Sequence, residues 1–428
     1  MDVDRRRFLK SSLGAITTAG MLGIAGCSSS CPDSDRPAPA RSVSFAETPT
    51  GPFDEEPAGT WIGPRGTNGN TGYVDRRLPT SDLTLRWRTE LDLPPTDSGS
   101  LSTSPPSVRS GIATVADARR VHALSTRTGH VRWRSDPMSV TTYDALWEFE
   151  ANTVSPLVGP DETVYVGTET GVVALDGTDG SIEWTAEGTT ATSSPRLLDE
   201  TVYALGSESL VSLDRDGTER WRRAIDRGEN PVPPAVGSNS VVVTGGEGVV
   251  AFDADSGDDR WSRSIRVETY PVLEGNLCVV GNDEGLHALS IETGETLWTF
   301  SRGDYRALLS PVLTPESIYA VEQPGEAGAA SFALDRTDGP PTPRWCSYIG
   351  SGAMTGATNG MAIGVLSIGE GPESVKGVVG FTADRGETAW AVEGGSRPRS
   401  WVTPPAVLDG ALIVSTRGGT VFAVGRGD

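Results

Sequence analysis

Eight tryptophans, Trp87, Trp133, Trp184, Trp221, Trp261, Trp298, Trp345 and Trp390, recur along the chain at intervals of 37 to 51 residues. Self-similarity at that period marks a chain assembled from one supersecondary unit. Such a unit cannot bury its apolar face alone and needs a copy on either side. A turn cassette leads into the tryptophan, as in Ala123-Leu-Ser-Thr-Arg-Thr-Gly-His-Val-Arg-Trp133, Ala174-Leu-Asp-Gly-Thr-Asp-Gly-Ser-Ile-Glu-Trp184 and Ala288-Leu-Ser-Ile-Glu-Thr-Gly-Glu-Thr-Leu-Trp298. Its glycine supplies the positive φ that a tight hairpin needs, and the polar neighbours satisfy the exposed turn backbone.

The units also open alike. Pro106, Pro156, Pro195, Pro234, Pro271, Pro311 and Pro405 each precede a short apolar run, with Gly356 in the remaining place. Proline suits the first residue of a strand, where its missing N–H is not needed by the ladder. A second apolar run follows, such as Thr163-Val-Tyr-Val-Gly167, then a third that ends at the cassette, and the tryptophan strand is the fourth. The last unit, from Pro405 to Val424, has three strands and no tryptophan strand, whereas Leu83 to Thr89 is a tryptophan strand without a unit before it. Joined, the two fragments make one unit and remove both exposed sheet edges. The expected fold is all-β: an eight-bladed β-propeller closed by the N-terminal strand pairing with the C-terminal blade. With 52 Gly and 30 Pro and no collagen-like period, composition suits many short strands joined by tight turns.

The N-terminus reads as an address. Asp4-Arg5-Arg6-Arg7-Phe8-Leu9-Lys10 resembles a twin-arginine export signal, with Arg5 and Arg6 as the pair and Phe8 and Leu9 beside them. The small-residue stretch Leu13–Ala25 is too short and too rich in Gly and Thr for a stable membrane span, but suits a signal core. It ends in Ile24-Ala25-Gly26-Cys27, which resembles a lipobox, with Cys27 as the lipidated residue. The expected organisation is a signal peptide over 1–26, a flexible Ser/Pro/acidic stalk over 27–58, an N-terminal extension over 59–81 and the propeller over 82–428. Cleavage before Cys27 places the mature chain outside the cytoplasm, lipid-anchored to the cell membrane.

Charge narrows the partners. The formal net charge is -21, and loss of residues 1–26, with four basic and two acidic side chains, brings it to -23 (-21 - 4 + 2). Nucleic acid is excluded as a partner on that ground. Only Lys10 and Lys376 are lysines, so arginine makes up the rest of the 36 basic residues. Abundant carboxylates with almost no lysine suit a halophilic protein, whose self-repulsion is screened by concentrated salt. Coding bias would leave the same imbalance.

The cassettes resemble the tryptophan-docking motif of the pyrroloquinoline-quinone-like propeller superfamily, over roughly residues 82–428. The family's Ala, Gly and Trp positions fall on Ala174, Gly180 and Trp184, and on Ala288, Gly294 and Trp298. The resemblance implies that each tryptophan packs against the glycine of the next blade's cassette. Two cassettes depart from the pattern: the third is one residue short and the sixth is lengthened by Pro340-Pro341-Thr342-Pro343. The superfamily holds calcium- and quinone-dependent dehydrogenases and also cofactor-free propellers, among them the lipoprotein scaffold of the outer-membrane β-barrel assembly machine. Fold alone does not choose between these activities.

The residues favour the second kind. Quinone chemistry requires a calcium site of carboxylate and amide oxygens, a base carboxylate and a planar slot, walled in many such enzymes by adjacent cysteines. Cys27, Cys31, Cys278 and Cys346 include no adjacent pair, and His122, His130 and His287 have no metal-ligand spacing. An oxidising compartment permits a Cys278–Cys346 disulfide, though it would join different strands of neighbouring blades. The expectation is therefore no catalytic residue, no metal and no cofactor: a non-catalytic binding or scaffolding lipoprotein with a protein partner, the alternative being a calcium- and quinone-dependent dehydrogenase.

Three insertions locate a candidate binding face. Ser135–Asn152 joins a tryptophan strand to the next first strand, while Gln323–Ala329 and Ile368–Lys376 join second to third strands. In an up-and-down blade both connection types leave on the face opposite the cassettes. Loops on a rigid scaffold are common carriers of function, and drift in exposed loops would look similar. The aromatic candidates are Tyr143, Trp147 and Phe149 in the longest insertion, with Tyr270 and Trp401 just ahead of first strands at the channel mouth. Trp147 has a second reading, as a cap on its own blade.

Overall fold

A computed structural model describes residues 42–93, 103–142, 153–188, 191–225, 232–245, 248–267, 269–301, 308–325, 328–347, 352–368, 375–395 and 398–427. Arg5, Arg6, Phe8, Leu9, Cys27, Tyr143, Trp147 and Phe149 lie outside these residues. The described strands form eight antiparallel sheets of four, one of which gains a fifth, parallel strand. In blade 1 they are Ser107–Arg109, Ile112–Ala116, Val121–Ser125 and Val131–Arg134. At most blade boundaries the first strands touch, which makes them the innermost ring of an eight-bladed propeller.

The burial pattern follows from that placement. Second and third strands are mostly buried, and Ile112–Ala116 and Gly171–Leu175 are buried at every residue, because sheets pack on both of their faces. Outer strands alternate, as in Glu219–Ala224 and Thr296–Phe300, where the tryptophan is the buried residue. Each blade carries a register shift beside its tryptophan, so two residues of one strand oppose one of the other. The residue facing the indole is small in all eight, for example Ala123 opposite Trp133 and Gly380 opposite Trp390. A larger side chain there would collide with the ring.

Closure follows the strand count. Leu83–Glu90 pairs antiparallel with Thr420–Arg426, completing the sheet of Ala411–Ser415 and Ala406–Leu408, with Trp87 opposite Ala423. Most first-strand prolines stand immediately before their strand. Pro311 and Gly356 instead fall inside Leu308–Leu313 and Gly352–Ala357, each at a register shift that spares the ladder.

One sequence expectation changes. The stalk expected over 27–58 is held against the propeller from Ser42 onward. Ser42–Ser44 adds a parallel strand to the outer edge of blade 7, Val43 is fully buried, Phe45 stacks on Phe422, and Thr50 and Gly51 bond to Leu85 and Arg86. Backbone pairing along an open edge holds this segment, which is why its polar composition did not reveal it. The insertions at 323–329 and 368–376 fall between second and third strands as expected, where the described strands are Ser317–Gly325 with Gly328–Asp335 and Met361–Ile368 with Val375–Thr382. Cys278 is a free, buried thiol packed as a small core residue, and Cys346 is disulfide-bonded, so the permitted bridge between the two does not form.

Candidate functional site

The segment expected only as an N-terminal extension occupies the axis of the ring. From Ala58 to Arg77 its backbone meets blades 8, 1, 4, 5, 6 and 7 in ring order. Asp409 N–H donates to the Ala58 carbonyl in blade 8 (2.8 Å), and Trp61 exchanges two backbone bonds with Val108 in blade 1 (2.8 and 2.7 Å). Val236 of blade 4 donates to Asn68 (2.8 Å), Leu273 of blade 5 to Gly69 (2.7 Å), Leu313 of blade 6 to Thr71 (2.9 Å) and Ala357 of blade 7 to Gly72 (2.7 Å). The circuit closes where Gly410 of blade 8 donates to Arg77 (2.8 Å). Inner strands have a free edge facing the axis, and this segment supplies the partners their backbone would otherwise lack.

Side chains fill the other end of the bore. Asn70 Nδ2 donates to the carbonyls of Pro234 and Pro271 (both 3.1 Å), at the start of two first strands. Arg196 directs Nε and Nη2 at the Asn70 amide oxygen (3.2 and 2.6 Å) and Nη1 at the Pro195 carbonyl (3.1 Å). Arg65 donates to the carbonyls of Met354 (2.6 Å) and Pro311. Trp61, Arg65, Asn70 and Arg196 are all buried. Burial holds both guanidiniums down to about 10; the Tyr270 ring counters this at each, and Arg65 lowers Arg196 further.

Glycines let the segment pass this closely. A Cβ on Gly69 would lie closer than 3.0 Å to the Leu273 carbonyl oxygen, and one on Gly66, at φ +74°, would meet the Trp61 ring. Gly59, Gly63, Gly66, Gly69 and Gly72 recur every three or four residues. That spacing, with a tryptophan and an arginine inside it, was the available sequence signal.

Tyr270 lies against the axial segment: its ring centroid is 5.2 Å from the Arg65 guanidinium carbon. Trp401 lies between two cations, with Lys376 Nζ at 5.4 Å and the Arg417 guanidinium at 5.1 Å from its ring. Both aromatics are partly exposed on the face opposite the cassettes. The two described histidines of the strands pair locally: His122 Nε2 with Asp117 (2.7 Å) and His287 Nε2 with Asn282 (3.1 Å). Each acid or amide also accepts backbone N–H groups of its own turn, which makes the pairs braces for the second hairpin in blades 1 and 5. Burial holds His287 below its ordinary value.

These donors do not suit a calcium-bound quinone. Two guanidiniums turned into the axis repel a divalent cation, the Asn70 amide oxygen beside them is taken by Arg196, and backbone occupies the bore itself. No cluster of three His, Cys, Asp or Glu with metal-site geometry occurs among the described residues.

The tryptophan strands perform the docking that the resemblance implied, with two exceptions. Trp87, Trp133, Trp184, Trp221, Trp261 and Trp345 meet Gly129, Gly180, Gly217, Gly257, Gly294 and Gly386 of the following blade. Each of the six also donates its indole N–H to a carbonyl there, at 2.6 to 3.0 Å. Blade 8 has no cassette, because the chain ends interrupt it, and Trp390 donates to Pro79 instead (3.0 Å). Trp298 is the second exception: Gly339, the corresponding glycine, has nothing within 4 Å of a built Cβ.

A family model described as outer membrane protein assembly factor BamB matches residues 72–300 and 206–345. The protein of that name from Burkholderia pseudomallei is 26% identical over 181 residues, 40% of this chain and 45% of its own length. The chain spans about half the length of the curated relatives it matches. Among solved structures, BamB from Moraxella catarrhalis superposes with a TM-score of 0.58 at 17% identity, covering 81% of this chain and 98% of that one. A quinohemoprotein alcohol dehydrogenase from Comamonas testosteroni gives 0.60 at 16% identity, covering 86% and 81%. At such identities these structures speak for the fold alone.

Proposed function

The chain belongs to the family of the outer membrane protein assembly factor BamB, and from that premise we propose that it is a non-catalytic binding or scaffolding protein. Its partner is a protein, and it works on the outer face of the cytoplasmic membrane, anchored by lipid on Cys27 after twin-arginine export. The observation that carries this reading is the occupied axis. In a propeller the mouth of the channel is the usual place for a small-molecule site, and here Ala58–Arg77 supplies the hydrogen bonds that a ligand would make there. What remains for function is the rim: Tyr270 and Trp401 beside the extended hairpins, on a scaffold whose charge is strongly negative. Partly exposed aromatics framed by cations are suited to anchoring a protein partner.

Capture from native membranes tests this. Wild-type protein retrieves a defined partner, and Tyr270→Ala with Trp401→Ala reduces its yield while melting stays within a few degrees of wild type. Retrieval of the same set in the same yield by the double variant would defeat the assignment of this face.

A further inference from the structure

Two positive charges are buried in the bore without a negative charge to match them. Arg65 and Arg196 are 2% and 0% exposed. Their hydrogen bonds run to the carbonyls of Met354, Pro311 and Pro195 and to the Asn70 amide oxygen, all neutral acceptors. Neither guanidinium forms an ion pair among the described residues, and Tyr270 offers Arg65 a ring face rather than a carboxylate. Even lowered to about 10 by burial, both stay protonated at neutral pH, and they lie close enough for Arg65 to disfavour the charge on Arg196. A buried charge with no counter-charge is costly, and dipoles of neutral acceptors offset only part of that cost.

Spare donors collect around the same pair. Arg65 Nε, Trp61 Nε1 and the hydroxyls of Ser155 and Thr355 are buried and have no hydrogen-bond partner among the described residues. Thr355 follows Met354, whose carbonyl Arg65 holds. Ser155 precedes the first-strand proline of blade 2 and stands beside Arg196: a Cβ built on Gly63 would have Arg196 Nη1 at 3.3 Å and the Ser155 Cβ at 3.9 Å. Arg65 follows Gly63 by two residues on the axial segment. Water would satisfy these donors but leave the charge unbalanced, whereas an anion does both. We infer that the end of the bore bordered by Tyr270 is a binding site for one small inorganic anion, of the kind of chloride, held by the Arg65 and Arg196 guanidiniums with the Ser155 hydroxyl as a neutral donor. The anion is small because Ala58–Arg77 already fills the axis. The site stands independently of the partner-docking role of Tyr270 and Trp401.

Thermal melting of the full chain tests this, with sodium chloride as probe and sodium gluconate, a bulky organic anion, holding the ionic strength constant so that screening does not change. The wild-type melting temperature rises by about 3 °C or more between about 0.01 M and 1 M chloride, as a site that fills over that range requires. Ser155→Ala deletes a hydroxyl that has no partner within the protein, so in gluconate it melts at or above wild type. Its rise with chloride is roughly half that of wild type, as an affinity about tenfold weaker requires. Arg196→Met abolishes the rise. A wild-type melting temperature independent of chloride would overturn the inference. So would a rise undiminished in Ser155→Ala or retained by a folded Arg196→Met, since chloride would then be acting elsewhere; Ser155→Ala decides alone if Arg196→Met does not fold.

Discussion

Gly69→Ala isolates the contribution of the axial segment. The added methyl would lie closer than 3.0 Å to the Leu273 carbonyl oxygen, a backbone atom of an inner strand that cannot turn aside. The segment must therefore back away from blade 5. The bonds nearest the substitution are Leu273 N–H to Gly69 (2.7 Å) and Val236 N–H to Asn68 (2.8 Å). An N–H left buried without a partner costs about 1–3 kcal/mol, so losing both destabilises the native state by about 2–6 kcal/mol. Gly360→Ala is the control, because nothing lies within 4 Å of a Cβ built there, and a change within about 0.5 kcal/mol is expected. Denaturant unfolding at fixed salt reads both, with the midpoint falling for Gly69→Ala and the slope unchanged. A midpoint equal to that of wild type would show that the segment does not lie in the bore as placed.

Deleting residues 81–90 removes the strand that closes the ring and exposes Thr420–Arg426, so the product aggregates; a monomeric product with unchanged melting would contradict closure. Burial pushes the Cys278 thiol up to about 12, so no thiolate forms at pH 8, and an aromatic disulfide reagent should react only after unfolding. Charge near -23 repels itself once the screening length grows to about 30 Å at 0.01 M salt. Circular dichroism should show structure lost on desalting and recovered in molar salt, and an unchanged spectrum would favour coding bias as the source of the lysine deficit.

The parts of the fold legible in the sequence were those that repeat. Trp133, Gly180 and Pro195 recur in kind along the chain because every blade must turn, open and dock in the same way. Even the closure could be counted, from a tryptophan strand at one end and three strands at the other. Within that blade the strand next to Leu83–Glu90 is Thr420–Arg426, with Ala411–Ser415 one strand further in. The axial segment was illegible for the opposite reason. It occurs once, has no hydrophobic period, and is held by backbone bonds and by Arg65, Asn70 and Arg196, whose partners are main-chain carbonyls or each other. Arg196 follows a first-strand proline, and nothing in its sequence neighbours marks it as an axial residue. Trp298 was counted among equals, since the prolines at 340–343 looked like a turn adjustment. Their effect on the seam is visible only when Gly339 is compared in space with Gly180.

With its axis filled by its own chain, the protein is proposed to bind partners without a cofactor. Equilibrating the purified full chain with excess pyrroloquinoline quinone and calcium, followed by gel filtration, tests it most directly. The expected result is no quinone absorbance in the protein peak and no reduction of a redox dye on adding alcohols or sugars. A stoichiometric, calcium-dependent absorbance with dye bleaching would contradict it.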